Sequence, residues 1–161
     1  MAERKKINIE VTVHENVEEL NESFKTLMSS AINARKKAYA PYSKFSVGAA
    51  VLMENNEIIE GNNQENACYP AGLCAERVAI FYAGAKYPEM RIRAIAISAA
   101  ALDHGVNEPV APCGSCRQAI SEYEFKQSEP IKLLFMGEKG KVIMCNSVAD
   151  LLPLGFNSSY L

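Results

Sequence analysis

Residues 73–80 read "LCAERVAI", and this stretch combines the pattern of a buried helix with side chains that a buried helix seldom carries. Its apolar residues suit a helix that packs into a hydrophobic core. Cys74, Glu76 and Arg77 nevertheless place a thiol and two charges within its first turn. Such groups need partners, and residues 112–118, "PCGSCRQ", contain thiols that would provide them. The two stretches together predict two helices that begin at a common site.

The cysteine pair at positions 113 and 116 is ambiguous when it is considered alone. It suits a redox pair as well as half of a structural zinc site. Pro112 precedes it, so the pair lies where a loop turns into a helix. At a helix start, positions i and i+3 face the same way, and the helix dipole favours thiolates. Because Cys74 begins the other predicted helix, three thiolates can converge on one ion.

Zinc and a nearby carboxylate would give this cluster a chemical function. Three protein ligands with an open fourth position are typical of catalytic zinc, whereas four mark a structural site. The open position holds a water molecule whose pKa the metal lowers. Glu76, two residues after Cys74, is placed to take a proton from that water and return it to a substrate. This combination of motifs is the signature of zinc-dependent deaminases.

The alternative is a structural zinc site with a fourth cysteine. Cys68 and Cys145 are available for it, but such a site leaves Glu76 beside the metal without a role. Otherwise we expect both cysteines to be small buried apolar residues.

Arg77 has a role in the catalytic interpretation. Three thiolates around a dication leave a net negative charge, which a guanidinium donating to the sulfurs would offset.

Composition excludes several classes of function. The chain of 161 residues has a net charge of −2, so it lacks the basic field that would bind a nucleic acid. The N-terminal residues lack the apolar core of a secretory signal, and no apolar run approaches the ~20 residues of a membrane span. Five cysteines, an odd number, argue against a disulfide framework. We therefore expect a cytoplasmic protein that binds neither nucleic acid nor membrane.

The remaining pattern alternates strands and helices. Residues 7–13, "INIEVTV", predict a strand with one buried face, and Asn16 with Glu19 resembles the capping box of a helix that Pro41 ends. Two strands joined at a turn of two asparagines follow. Further segments predict helices from Cys74 to Ala85 and from Cys113 to Phe125, and strands at 92–100, 131–137 and 141–145. We predict one α/β domain over residues 1–161, a three-layer α/β/α fold with a mixed sheet of about five strands.

Four blocks of the chain resemble the cytidine deaminases of the small, homotetrameric, zinc-dependent type. They are "AYAPYSKFSVGAA", "NQENACYPAGLCAERVAI", "PCGSCRQ" and "LLPLGF", which run from about Tyr39 to Phe156 in the family's order and at its separations. The resemblance implies a cytidine-deaminase-like fold and hydrolysis of cytidine and deoxycytidine to uridine and deoxyuridine, with release of ammonia, in pyrimidine salvage. Residues 1–15 extend beyond the typical start of the family, and we interpret them as an added edge strand.

The resemblance also implies roles for individual residues and a homotetramer with shared active sites. Zinc-bound hydroxide would attack C4 of the base. By this resemblance, Cys74, Cys113 and Cys116 would bind one zinc ion per subunit, and Glu76 would transfer protons to N3 and then to the leaving amine. Phe45 would pack on the pyrimidine, the Ala75 backbone would contact the base edge, and Asn63 and Glu65 would form hydrogen bonds with the ribose. Tyr69 and Phe156 would lie near a neighbouring subunit's pocket.

The residues also allow plainer interpretations, and two of them depart from the family pattern. Without the resemblance, Phe45 is as well explained as a core residue of a strand, and Asn63 as a turn former. Ser46 stands where the family often has proline, which would loosen the loop that carries Phe45. Cys68 stands where serine is usual.

Other functions compete with nucleoside deamination. Antibiotic deaminases of the blasticidin type share the fold and the zinc motifs, but the ribose-binding "NQEN" and "LLPLGF" favour a nucleoside. A deaminase of polynucleotides would need basic and aromatic residues for single strands, and the chain is acidic. An inert zinc-binding module would have no use for Glu76.

Overall fold

The computed structural model describes residues 2–161 and contains a six-stranded mixed sheet with strand order β1-β6-β5-β4-β2-β3. Strands β4 and β5 are parallel, and the other neighbouring pairs are antiparallel. The strands are β1 Val11–His14, β2 Phe45–Met53, β3 Ile58–Asn62, β4 Ile92–Ala101, β5 Lys132–Met136 and β6 Val142–Cys145, and the α-helices are α1 Glu22–Arg35, α2 Ala75–Lys86 and α3 Gly114–Gln127.

Both faces of the sheet are covered by helices, which confirms the predicted α/β/α layers. Along β4, Ile95 and Ile97 pack with residues of α2 and α3, whereas Ala94 and Ala96 on the opposite face pack with α1. The small alanine side chains let α1 approach closely. The contact is closest at Gly48, where an added Cβ would lie 2.1 Å from the main-chain oxygen of Ala31. The sheet with its two apolar layers is the scaffold for the site.

The predicted start of the first helix is wrong by about five residues. Asn16 accepts a hydrogen bond from the Glu18 amide at 2.8 Å, but it caps only a short 3₁₀ turn, Val17–Glu19. Leu20 then adopts an extended backbone with a buried side chain. The helix begins after Asn21, whose Oδ1 accepts from the Phe24 amide at 3.0 Å. Two cap residues five positions apart, Asn16 and Asn21, were therefore available, and burial of Leu20 selects the second.

The N-terminal strand confirms one expectation and contradicts another. β1 pairs with β6 and forms the edge of the sheet, as predicted, but it spans only Val11–His14. Ile7, Ile9, Val11 and Val13 are about half exposed, so the expected buried face is wrong. The physical reason is position: the helices pack chiefly over β2, β3 and β4, and β1 lies outside their cover.

The two cysteines outside the cluster differ in their burial. Cys145 is buried at the end of β6, as expected, whereas Cys68 is exposed and contradicts the expectation. The hairpin between β2 and β3 turns at Asn56, which has a positive φ of 67°. Within residues 2–161, none of the helices combines the length and apolar character that a bilayer crossing requires.

Candidate active site

The N-termini of α2 and α3 bring three cysteines together. The sulfur atoms of Cys74, Cys113 and Cys116 all lie within 4.8 Å of one another. The Cys74 and Cys113 sulfurs are 4.0 Å apart, and those of Cys113 and Cys116 are 3.5 Å apart. Tetrahedral zinc with Zn–S bonds of about 2.3 Å separates its sulfur ligands by about 3.8 Å. The donor set and its spacing therefore fit a zinc ion.

Two of the three thiols lie just outside their helices. Cys74 and Cys113 are the N-cap residues of α2 and α3, and neither makes a side-chain capping hydrogen bond. Cys116 lies in the first turn of α3 and is fully buried. Among the described residues 2–161, no other His, Cys, Asp or Glu side chain joins this cluster, Cys68 and Cys145 included. The arrangement thus offers three protein ligands, the number of a catalytic zinc site.

The charges around the thiols favour a thiolate. Hydrogen bonds to the Cys74 sulfur, from Cys116 and then from Arg77, lower the pKa of Cys74 to about 5. The same interaction with Cys74 raises the pKa of Cys116, and burial raises it further. A cluster that shares negative charge in this way is suited to binding a cation. Nη2 of Arg77 donates to the Cys74 sulfur at 3.7 Å, and the buried Nε of Arg77 lacks a partner in the described structure.

Glu76 is a buried carboxyl in the first turn of α2. It is 5% exposed, and burial raises its pKa, as does the negative charge of Cys74. A carboxyl group with a raised pKa keeps its proton at a higher pH than an exposed carboxyl does, which favours proton exchange with a neighbouring group. Its position beside the thiols is therefore suited to proton transfer.

A cavity of about 470 Å³ opens beside Cys74 and Arg77. Its size lies in the range of pockets that bind small organic molecules. The loop that precedes β2 contributes Tyr42 and Ser43, and the segment that follows β3 contributes Glu65. The cavity thus adjoins the cluster and is lined by polar and aromatic groups.

Main-chain hydrogen bonds hold the cavity wall together. The Tyr39 amide donates to the Asn63 carbonyl at 3.0 Å, and the Glu65 amide donates to the Tyr39 carbonyl at 2.9 Å. Gln64 and Leu73 exchange two further bonds, each of 2.9 Å. These bonds tie the segments before β2, after β3 and before α2 into one layer.

The Glu65 carboxylate fixes the loop that faces it. It accepts from the amides of Tyr42 at 2.9 Å and Ser43 at 3.3 Å, and also from the Ser43 hydroxyl. These hydrogen bonds, the hydroxyl first, lower the pKa of Glu65, so the carboxylate stays ionised. Neither Tyr42 nor Ser43 was predicted as a site residue from the sequence, although both lie in the block "AYAPYSKFSVGAA" that contains Phe45.

The remaining residues that the sequence singled out fall into two groups. Asn63 and Tyr69 line the cavity, whereas Phe45, Ala75 and Phe156 are absent from its lining. The Asn63 amide is engaged by the main chain of β2: Oδ1 accepts from the Val47 amide at 2.8 Å, and Nδ2 donates to the Phe45 carbonyl at 2.9 Å.

The other residues take simpler positions within the single chain. Phe45 is the partly buried first residue of β2, and Ala75 is the fully buried first residue of α2. Tyr69 is 75% exposed and Phe156 is 57% exposed. The Phe156 ring stacks on that of Tyr160, with 5.7 Å between centroids.

Comparisons with known proteins agree with this geometry. The model of the cytidine and deoxycytidylate deaminase zinc-binding region matches residues 21–128, which include the three thiols, Glu76 and the cavity wall. The cytidine deaminase of Halalkalibacterium halodurans is 40% identical over 132 residues, which cover 82% of this chain and 92% of that protein. The cytidine deaminase of Sporosarcina psychrophila is 40% identical over 135 residues, 84% of this chain and 92% of its own.

A solved structure extends the agreement to three dimensions. The crystal structure of cytidine deaminase from Burkholderia pseudomallei is 38% identical and superposes with a TM-score of 0.70. The superposition covers 81% of this chain and 97% of that one. At this identity the likeness concerns the sequence as well as the fold.

Proposed function

This chain belongs to the cytidine deaminase family of hydrolases, and from that premise we propose that it converts cytidine and deoxycytidine to uridine and deoxyuridine by zinc-dependent hydrolysis, with release of ammonia. The observation that carries the proposal is the three-thiol cluster, which lies beside the buried carboxyl of Glu76 and next to a cavity of nucleoside size. As part of the same proposal, we assign the activity to pyrimidine salvage in the cytoplasm.

Cys74, Cys113 and Cys116 would hold one zinc ion per subunit. Thiolates are the soft ligands that zinc accepts, and the measured sulfur separations suit its tetrahedral geometry. When bound, zinc supplies a Lewis acid that lowers the pKa of a water molecule to near neutrality. Arg77 donates to this cluster and offsets the charge of the thiolates.

Glu76 transfers protons during the reaction. C4 of the base gains a bond to the oxygen of water and loses its bond to the amino nitrogen. Glu76 takes one proton from the water and delivers it to N3. It then takes the remaining proton from the oxygen now bonded to C4 and passes it to the amine, which departs as ammonia while the C4 carbonyl forms. Burial raises the pKa of Glu76, which suits it to both accepting and donating a proton.

The substrate would be held by residues of more than one subunit. Phe45 packs on the pyrimidine, the Ala75 backbone contacts the base edge, and Asn63 and Glu65 bind the ribose hydroxyls. Tyr69 and Phe156 act at a neighbouring subunit's pocket in a homotetramer. The large exposed fractions of these two rings in the single chain support that assignment, because exposed aromatic side chains are typical of subunit contacts.

The test is the loss of cytidine's ultraviolet absorbance on incubation with the purified protein and with Glu76→Gln. We expect the wild-type protein to deaminate cytidine and the variant to be slower by roughly 10²–10⁴-fold, because it lacks the proton-transferring carboxyl. Zinc content, measured on both proteins, should be the same. A zinc-loaded wild-type protein that leaves cytidine unchanged would contradict the proposal and favour the antibiotic deaminase or the inert zinc module.

A further inference from the structure

Two side chains of the motif "PCGSCRQ" hold the C-terminal segment, residues 152–161, on α3, and neither has a part in the proposed chemistry. Nη1 of Arg117 donates at 2.8 Å to the carbonyl of Leu151, the residue just before the segment. Nε2 of Gln118 donates to the Phe156 carbonyl at 2.9 Å. The hydrogen bonds of Asn157 with Ser159 stay within the segment. Arg117 and Gln118 thus tie the segment to α3, and the Leu152 amide adds a main-chain hydrogen bond to the Val148 carbonyl at 2.9 Å.

Arg117 connects the same segment to the metal cluster. Its Nε donates at 2.8 Å to the carbonyl of Pro112, the residue that precedes Cys113. One guanidinium therefore bonds both to the loop that presents the first thiol of α3 and to the residue just before the C-terminal segment. Gln118 follows Arg117 directly and lies two residues after the buried Cys116.

The geometry points to Gln118 as a positioning residue for substrate binding, with Arg117 as its partner. Gln118 fixes the main chain at Phe156, so the aromatic ring that one subunit offers to its neighbour is held by the helix that carries its own metal ligands. This inference rests on the proposed function, in which Phe156 acts at a neighbouring pocket. It adds that the donors on α3 fix where that ring is presented.

Loss of the Gln118 hydrogen bond should affect binding more than chemistry. A segment released at Phe156 samples more conformations, and ordering it again on binding opposes affinity. The reacting atoms are untouched, so the effect falls on KM and leaves kcat unchanged. One neutral hydrogen bond corresponds to a change of roughly three- to tenfold.

The test compares Gln118→Leu with a matched control on the same helix, Gln127→Leu. Nε2 of Gln127 also donates to main-chain carbonyls, those of Ile92 and Glu129, both at 2.9 Å, but at the opposite end of α3. We expect Gln118→Leu to raise KM for cytidine by roughly three- to tenfold with unchanged kcat and zinc content. Gln127→Leu should lower the melting temperature and leave KM unchanged. Equal KM values for the two variants would overturn the inference. The near-isosteric Gln118→Glu, which lacks the donor, should behave like Gln118→Leu.

A second measurement does not depend on activity. The chain has no tryptophan, so Phe156→Trp introduces a single tryptophan, which can be excited selectively in the presence of the tyrosines, into the segment. Adding Gln118→Leu in that background should lower the fluorescence anisotropy of the reporter, whereas adding Gln127→Leu should not. Identical anisotropy in all three proteins would overturn the inference. Failure of the proposed function would instead be recognised by an inactive wild-type protein, whatever the reporter shows.

Discussion

Arg77 contacts the thiol cluster and also lines the cavity beside it. Its guanidinium donates to the Cys74 sulfur at 3.7 Å and lines the cavity in which the substrate would lie. Interaction with Cys74 raises the pKa of Arg77, and Arg77 in turn lowers the pKa of Cys74. In the proposed zinc site, a positive charge at this position would offset the negative charge of the thiolate ligands. We therefore expect removal of the Arg77 side chain to lower the reaction rate while zinc stays bound.

Arg77→Ala should retain zinc and lower kcat by roughly ten- to a hundredfold, because a group that tunes the ligands is lost while the ligands remain. The pH optimum should move upward, since removal of a nearby positive charge raises the pKa of acidic groups around it. Zinc analysis and a pH–rate profile provide the measurement. The control is Arg93→Ala, which removes an exposed arginine at the start of β4. Indistinguishable profiles for the two variants would refute the role of Arg77.

The sequence predicts some residues of the site better than others. The three cysteines and Glu76 belong to short motifs at helix starts, where local spacing places the side chains of one motif at the same end of the helix. Phe45 and Phe156 depend instead on how loops and chain ends are arranged, and neither lines the cavity of the single chain. Arg117 and Gln118 were part of a quoted motif, but their acceptors are carbonyls 34 and 38 residues away, which a local pattern cannot indicate.

Helix α1 packs closely against β2 at Gly48. An added Cβ at Gly48 would lie 2.1 Å from the Ala31 carbonyl oxygen and 2.3 Å from the Arg35 nitrogen, both of which are main-chain atoms of α1. Main-chain atoms of a helix cannot move aside singly, so the whole helix would have to shift. Arg35 at the end of α1 also donates to Ser98 Oγ at 2.7 Å and anchors that end of the helix to β4.

Gly48→Ala should therefore lower the free energy of unfolding by about 1–3 kcal/mol, because the added methyl group overpacks the contact between α1 and β2. Thermal or urea unfolding would measure the change. Gly105→Ala is the matched control, since its Cβ would meet only Asn107 atoms at 3.5 Å or more, in ordinary contact. If both variants unfold alike, the close packing assigned to Gly48 is wrong.

The sequence determined the types of these elements more reliably than their ends. The predicted bounds of α2 and α3 agree with the structure to within about two residues, and a strand was predicted at the position of every strand of the sheet. The start of α1 was misplaced, because Asn16 and Asn21 are both good cap residues. Only the burial of Leu20 between them selects the second cap, and burial is a property of the tertiary structure.

At the scale of the whole molecule, β1 protects a sheet edge. It pairs with β6 through four residues, and its other edge and its apolar side chains face outward. Unpaired strand edges favour association with other chains. Within the N-terminal extension, the two parts therefore differ in role. Residues 2–10 lie outside the sheet, whereas residues 11–14 form its edge strand.

Two truncations should separate these roles. Removal of residues 2–10 should leave the melting temperature unchanged, because these residues are exposed throughout. Removal of residues 2–15 should lower the free energy of unfolding by about 2–4 kcal/mol, through loss of the hydrogen bonds to β6, and should promote aggregation. Calorimetry and light scattering provide the readouts. Equal stability of the two truncated proteins would show that β1 contributes nothing to the sheet.

The parallel pairing of β4 and β5 also bears on the order in which the chain folds. Parallel neighbours need a crossover, and here the crossover is the segment that contains Cys113, Cys116 and α3. Cys74 precedes β4, whereas Cys113 and Cys116 follow it. Cys74 therefore meets these two cysteines only when the chain between them has closed into a loop, and such non-local contacts form slowly. During synthesis, Cys74 thus emerges well before the two thiols that it will join. We therefore expect the nascent chain to carry the three thiols of the cluster apart from one another, and open to oxidation, until β5 has docked.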